Sequence, residues 1–165
     1  MEQQFDALKY FEKLGKSNRL AVTNKFAVDY CSGPEGLDAA MANYRTASNF
    51  IFIDDTTSAN TFNNKVSWFD RNVYTVFIIA GYNQRKENDR EEKLRLCRAI
   101  FRQFLSKIIY DKQQYVYGGQ MVFLDTSSVY STEFGRYSFN GATGLWFQIR
   151  NDEPVDLVYH QEEWM

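Results

Sequence analysis

The chain has 165 residues, the size of one ordinary domain with room for a real core. A hydrophobic share of 44% and a charged share of 24% exclude wholesale disorder, and 2 prolines with 9 glycines exclude collagen-like or linker-like character. A net charge of −2 and a pI near 5.5 exclude a generally basic nucleic-acid binder, and no apolar run approaches the roughly 20 residues of a membrane helix. The opening MEQQFDALKYF has no basic segment followed by an apolar stretch, so no signal peptide is expected.

In chain order, residues 3–14 read as a helix, with Phe5, Leu8, Phe11 and Leu14 on one side and Gly15 as its stop. Residues 19–31 are ambiguous. Leu20 and Val22, then Phe26, Val28 and Tyr30, alternate as in a strand, but Asn24-Lys25 interrupts them, and Ser32-Gly33-Pro34 is a break. Small residues from Glu35 to Thr46 suit a short, closely packed helix. Asn49 to Thr56 reads as a strand ended by Asp54-Asp55, and the polar residues 57–66 as a mobile loop. Val73 to Ala80 is β-branched or aromatic almost throughout, a strand covered on both faces.

Residues 86–110 carry the strongest helical pattern. Leu94, Cys97, Phe101, Phe104 and Ile108 share a face flanked by Ile100, Leu105 and Ile109, and acids precede bases in the order the helix dipole favours. Strands are expected over Gln120–Leu124, Ser128–Phe134 and Arg136–Phe139. After a tight turn at Asn140-Gly141 another is expected over Gly144–Arg150, with Leu145, Phe147 and Ile149 on one face. Val155, Leu157 and Tyr159 suggest a last short strand or extended tail. The expected class is α+β: an antiparallel or mixed sheet of about five strands, one long helix packed on it and additional N-terminal helices. One domain over residues 1–165 is expected, with an acidic C-terminal extension at 151–165.

Chemistry is thinly signalled. His160 is the only histidine and lacks a nucleophile elbow to serve, so it reads as a surface residue. Cys31 and Cys97 have neither C-x-x-C spacing nor a neighbouring histidine; they read as reduced thiols, Cys97 within the core. Asp54 and Asp55 with Glu91 and Lys93 loosely suggest a metal-dependent nuclease, which needs these groups to converge on a metal. Glu91 and Lys93 are two apart in a helix and point to different faces, so a strand-ending acidic pair and a dipole-matched helix start are the simpler reading. Gly118-Gly119 lacks a following Lys-Ser/Thr, so no cofactor or nucleotide loop is expected. No catalytic, cofactor or metal site is assigned.

Two features point to association instead. Residues 85–112 hold nine Lys/Arg and five Asp/Glu, net +4, whereas residues 125–165 hold two Arg and seven Asp/Glu, net −5. The bland reading is a solvated helix face and an acidic tail; the sharper one is head-to-tail pairing between copies. Aromatics make up 17% of the chain, and Tyr130, Phe134, Tyr137, Phe139 and Trp146 exceed what one face of a small sheet needs. With Arg98 and Arg102 they form the candidate interface.

The order of elements resembles the tail terminator (tail completion) proteins of long-tailed bacteriophages. The resemblance lies in FDALKYF (5–11), NFIFIDD (49–55), VYTVFIIAGY (73–82), ENDREEKLRLCRAIFRQFL (87–105) and YSTEFGRYSFNGATGLWFQIRN (130–151). It implies a small α+β subunit with no catalytic residues, which assembles with itself as a ring, commonly a hexamer. The ring sits on the tail tube protein, stops its polymerisation and docks the head-tail connector protein. It implies a place in the virion tail, with assembly in the host cytoplasm, and no membrane or specific nucleic-acid partner. Neck and head-closure proteins of the same particles are the alternative within this class. Residues 15–48 and the acidic tail depart from the compact family pattern. A different class, a ligand-binding or enzymatic α+β domain, would line a pocket between helix and sheet with Tyr74, Phe77, Phe123 and Trp146.

Overall fold

The computed structural model describes residues 5–165; Gln3 and Gln4, where the first helix is expected to begin, lie outside them. Helix α1 spans Ala7–Ser17, started by the Asp6 carboxylate accepting from the Lys9 amide at 3.1 Å. Ala7, Tyr10, Phe11, Leu14 and Gly15 form its buried stripe. Gly15 is therefore not a stop. A Cβ there would meet both methyls of Val28 at 3.0 Å, so glycine lets α1 lie close on the strand beneath. Asn18 ends α1 and caps α2 (Arg19–Thr23), accepting from the Ala21 amide at 2.8 Å. The alternation of Leu20 and Val22 is thus helical. The strand begins only after Lys25, at φ 55°, as β1 (Ala27–Cys31).

A single 3-10 turn at Pro34–Gly36 leads into α3 (Leu37–Ala42), followed by β2 (Asn49–Asp54). Residues 57–66 are not a loop. Ser58–Asn63 form β3, which pairs antiparallel with the long strand β4 (Trp68–Gly81) from Ser58↔Val73 to Asn63↔Trp68. The turn between them has Lys65 at φ 76°, and the Asn64 side chain accepts from the amides of Val66 and Ser67 at 3.0 and 2.8 Å. Its polar residues form a strand because the ladder to β4 satisfies their backbone without burying their side chains.

Helix α4 spans Asp89–Gln113, about 37 Å of helix. Its buried stripe is Leu94, Cys97, Ile100, Phe104, Ile108 and Asp111; Phe101 is only partly buried. Residues 120–124 do not form a strand. Gly118–Met121 make a 3-10 turn, entered through Tyr115 at φ 51° and Gly118 at φ 60°, and Leu124 alone bridges to Asn151. Strand β5 is confined to Tyr130–Glu133. Arg136–Phe139 is a turn segment, closed by Gly141 at φ 74°, and β6 runs from Ala142 to Pro154. The stretch after Pro154 is not a strand: it is extended and ends in a 3-10 turn at Gln161–Glu163. Residues 151–154 of the acidic segment therefore belong to the sheet.

The fold is α+β, with a six-stranded mixed sheet in the order β1-β2-β4-β6-β5 and β3 added beside the first half of β4. β1 and β2 are parallel, joined through α3; the other pairs are antiparallel. Alternation divides the sheet into two packed faces. Ile51, Ile53, Val76, Ile78, Leu145, Phe147 and Ile149 lie beneath α1 and α4. Phe50, Phe52, Phe77 and Ile79 lie on the opposite face, with Leu37, Met41, Tyr44, Phe134, Phe139 and Trp146 against them.

Candidate functional site

The residues singled out for chemistry are kept apart. Asp54 is buried at the end of β2 and accepts from the Gly33 amide at 3.0 Å, the Thr56 amide at 2.9 Å and the Thr56 hydroxyl at 2.7 Å, which ties two loops to the strand. Asp55 accepts from the Ser32 hydroxyl at 2.7 Å. Glu91 lies in the first turn of α4, after the far end of β4, and pairs with Arg95 and Arg98 at 3.4 and 3.2 Å; Lys93 faces Asp89. His160 lies in the C-terminal turn, 3.7 Å from Glu162. Among the described residues no group of three His, Cys, Asp or Glu side chains is placed to hold a metal. Both cysteines are buried, and burial pushes both thiols up to about 12, so they stay protonated at neutral pH.

The lining expected for a pocket between helix and sheet does not form. Tyr74 packs with the core beneath α1 and α4, whereas Phe77 and Trp146 lie on the other face and Phe123 is exposed near the end of α4. Tyr74 and Phe77 are three residues apart in one strand, so alternation sends them to opposite sides. Cys97, Ile100, Phe104 and Ile108 of α4, all buried, occupy the space above Leu145, Phe147 and Ile149.

The candidate interface aromatics divide. Phe134 stacks on Phe77 with centroids 6.3 Å apart and meets Phe139 edge-on at 4.8 Å; Trp146 packs against the same cluster. These three cover the second face of the sheet. Tyr130 is exposed, with its ring 5.5 Å from Trp146, and Tyr137 is 96% exposed at the tip of the turn. Arg98 donates to both Glu133 oxygens, at 2.7 and 2.9 Å, and this holds its guanidinium above and the Glu133 carboxyl below their usual ranges. Arg102 is exposed one turn further along. The opposite charges of the two regions thus partly close within the chain at this pair, while Asp125 of the acidic region is met by Arg150 of the same region. Arg71 of β4 adds a further closure with Asp152, donating at 2.8 Å to each carboxylate oxygen.

The surfaces with least internal use lie elsewhere. β3 and the first half of β4 form an arm whose tip holds Val66, 90% exposed, beside exposed Trp68. Phe62 stacks on Phe69 at 5.7 Å, and the Arg71 guanidinium lies 4.8 Å from the Phe62 ring. A second surface is the end of α4 and the turn after it, where Ile109, Tyr110, Val116, Val122 and Phe123 are exposed. The sequence signal for the first was Val66 and Trp68 set in a polar run. The second had no clear signal, because helical periodicity marks the buried stripe and leaves the rest unassigned. β1, β3 and β5, each paired on one side only, are the sheet's edge strands. No protein-family model matches the chain, and no curated protein matches it in sequence.

Proposed function

We propose that the protein is a non-catalytic assembly subunit of the phage tail-terminator type, which forms a ring on the end of a tail tube and presents a docking surface for the head. The observation that carries this reading is the β3–β4 arm. β3 is paired to β4 and exposed along almost its whole length, and Val66 and Trp68 are left in water at its tip. Exposed large apolar side chains at the tip of an edge hairpin stabilise a monomer little and suit contact with a neighbour or tube. Well-filled space on both faces of the sheet, and chemistry-bearing residues tied into loops and helix ends, favour a binding role over catalysis. A closed ring requires a heterologous contact, one surface meeting a different surface on the next copy.

Electron microscopy of the purified protein with and without its tube protein tests this. Rings at one end of each tube are the expected result. Protein that stays monomeric in both conditions and never decorates a tube end would overturn it.

A further inference from the structure

Of the three edge strands, two are protected against pairing with another chain. In β1, Cys31 turns its carbonyl toward β2, where the Asp55 amide donates to it at 2.8 Å. Alternation then turns Tyr30 outward, and its amide is met by the Asp29 carboxylate at 2.8 Å. β5 has only four residues, and the Phe134 amide beyond it donates to the Gly144 carbonyl at 2.9 Å. Alternation therefore leaves only Ser131 and Glu133 facing outward, and Glu133 is held by Arg98. β3 has no such protection. Ser58–Asn63 carries no charge and no proline, and β1 stops at Cys31, opposite Asp54, before reaching it.

Two hydrogen bonds fix which residues of β3 face its open side. The Asn64 amide donates to the Ser67 carbonyl at 3.1 Å, and the Trp68 carbonyl accepts from Val155, on the other side of β4, at 3.0 Å. An antiparallel ladder alternates, so Asn60 and Phe62 bond to β4. Ala59, Thr61 and Asn63 turn their amides and carbonyls to the open side.

A row of main-chain donors and acceptors is matched by another extended strand. We infer that β3 pairs antiparallel with β3 of a second copy, with Thr61 on the two-fold axis. This register sets Thr61 opposite Thr61 and Ala59 opposite Asn63 on each side. Every outward-facing residue is then used, in about six main-chain hydrogen bonds. No charges oppose one another, and paired threonines suit a cross-strand position. Trp68 lies beside Asn63 on this face, and the second copy's Ala59, next in the row, leaves room for the exposed ring. On the other face Phe62 lies diagonal to its counterpart, within reach of an aromatic side chain. An isologous pair closes at two copies and does not repeat around a ring, so this contact stands or falls apart from the ring reading.

Sedimentation velocity of the full chain over a concentration series tests the pairing, with circular dichroism verifying that each variant is folded. The wild type should pass from monomer to dimer. Thr61→Glu sets two carboxylates opposite each other on the axis, with Asp70, which now accepts from the Thr61 hydroxyl at 2.6 Å, behind each. It should raise the dimerisation midpoint about tenfold or more. Mixing Thr61→Glu with Thr61→Lys should give a heterodimer tighter than the Thr61→Glu homodimer, because only an axial position meets itself. Hydrogen exchange reads the same register without a substitution: raising the wild-type concentration should protect the amides of Ala59, Thr61 and Asn63 and leave those of Asn60 and Phe62 unchanged. A wild type with no dimer, a Thr61→Glu variant that dimerises like it, a mixture no tighter than Thr61→Glu alone, or concentration-dependent protection at Asn60 and Phe62 instead overturns the inference.

Discussion

The two halves of β4 are one strand in two environments. Val76 to Ala80 are all buried, paired with β2 on one side and β6 on the other, with α1 and α4 over one face and α3 with Phe134 and Phe139 over the other. Trp68 to Thr75 are exposed or half-buried, and pair with β3 and the last residues of β6. The first half is held by its ladder and by cross-strand pairs such as Arg71–Asp152; the second by apolar burial from both sides. Stability and availability for contact are thus divided along a single strand.

The largest expected difference comes from the core above the buried half. Phe104 is 1% exposed, and Phe104→Ala should cost about 3–5 kcal/mol. Phe62→Ala, in the arm, should cost about 1 kcal/mol or less, since its ring loses only the Phe69 stack and the Arg71 contact. Phe101, half-buried with its ring 5.0 Å from Phe147, should fall between them. Urea denaturation of the three variants checks the order; equal costs for Phe104 and Phe62 would erase the distinction between the halves.

Backbone contact gives the next effect. A Cβ on Gly144 would lie 2.0 Å from the Ile78 carbonyl oxygen, on the strand opposite. The β4–β6 ladder would have to part to admit it, so Gly144→Ala should cost about 3 kcal/mol. Hydrogen exchange should show the loosening centred on Ile78 and Ile79, with the arm unchanged. Protection lost first in the arm would contradict this.

The buried half was legible because its physics is local. An unbroken run of β-branched and aromatic residues specifies a strand covered on both faces, and the α4 stripe specifies a helix over it. Gly15 was misread because a glycine at a close approach looks like a glycine at a helix end until Val28 is placed beneath it. The arm was misread because β3 has little apolar alternation: its structure comes from backbone pairing with β4, which no spacing within 57–66 encodes. Residues 136–139 failed in the opposite sense, since Tyr137 and Phe139 alternate as in a strand but belong to a turn that folds Phe139 onto Phe134. The interface residues divided for the same reason. Aromatic content was visible, but which ring covers the second sheet face and which faces water depends on the partner strand.

Acid should distinguish the halves more mildly. The Arg150 guanidinium and the Ser127 hydroxyl hold the Asp125 carboxyl well below its usual range, and Arg71 holds Asp152 below it too. Folding therefore favours the ionised forms of both. Their contribution is complete above the unfolded value near 4 and is lost as pH falls through the folded values. Water reaches both pairs, so each is worth about 1 kcal/mol or less. Hydrogen exchange below about pH 4, corrected for the intrinsic rate, should loosen Arg71–Val73 and Arg150–Asp152 before Val76–Ala80. Uniform loosening would mean that these pairs do not support the exposed half.

The smallest effect on stability should accompany the largest effect on assembly. Val66 lies at the arm's tip with its side chain in water, so Val66→Ser removes no packing and should change stability by less than about 0.5 kcal/mol. The turn is unaffected, because Asn64 holds it through its side-chain oxygen and Lys65 keeps its left-handed conformation. If the arm tip contacts a neighbouring subunit or the tube, the same substitution places a hydroxyl where an apolar contact belongs, and Trp68→Ser removes the larger ring beside it. Tube capping, counted as the fraction of tube ends bearing a ring, should fall severalfold for Val66→Ser at unchanged melting temperature, and further for the pair. Full capping by the double variant would leave the arm without a role in assembly and return its exposed side chains to the ordinary scatter of apolar residues on a protein surface.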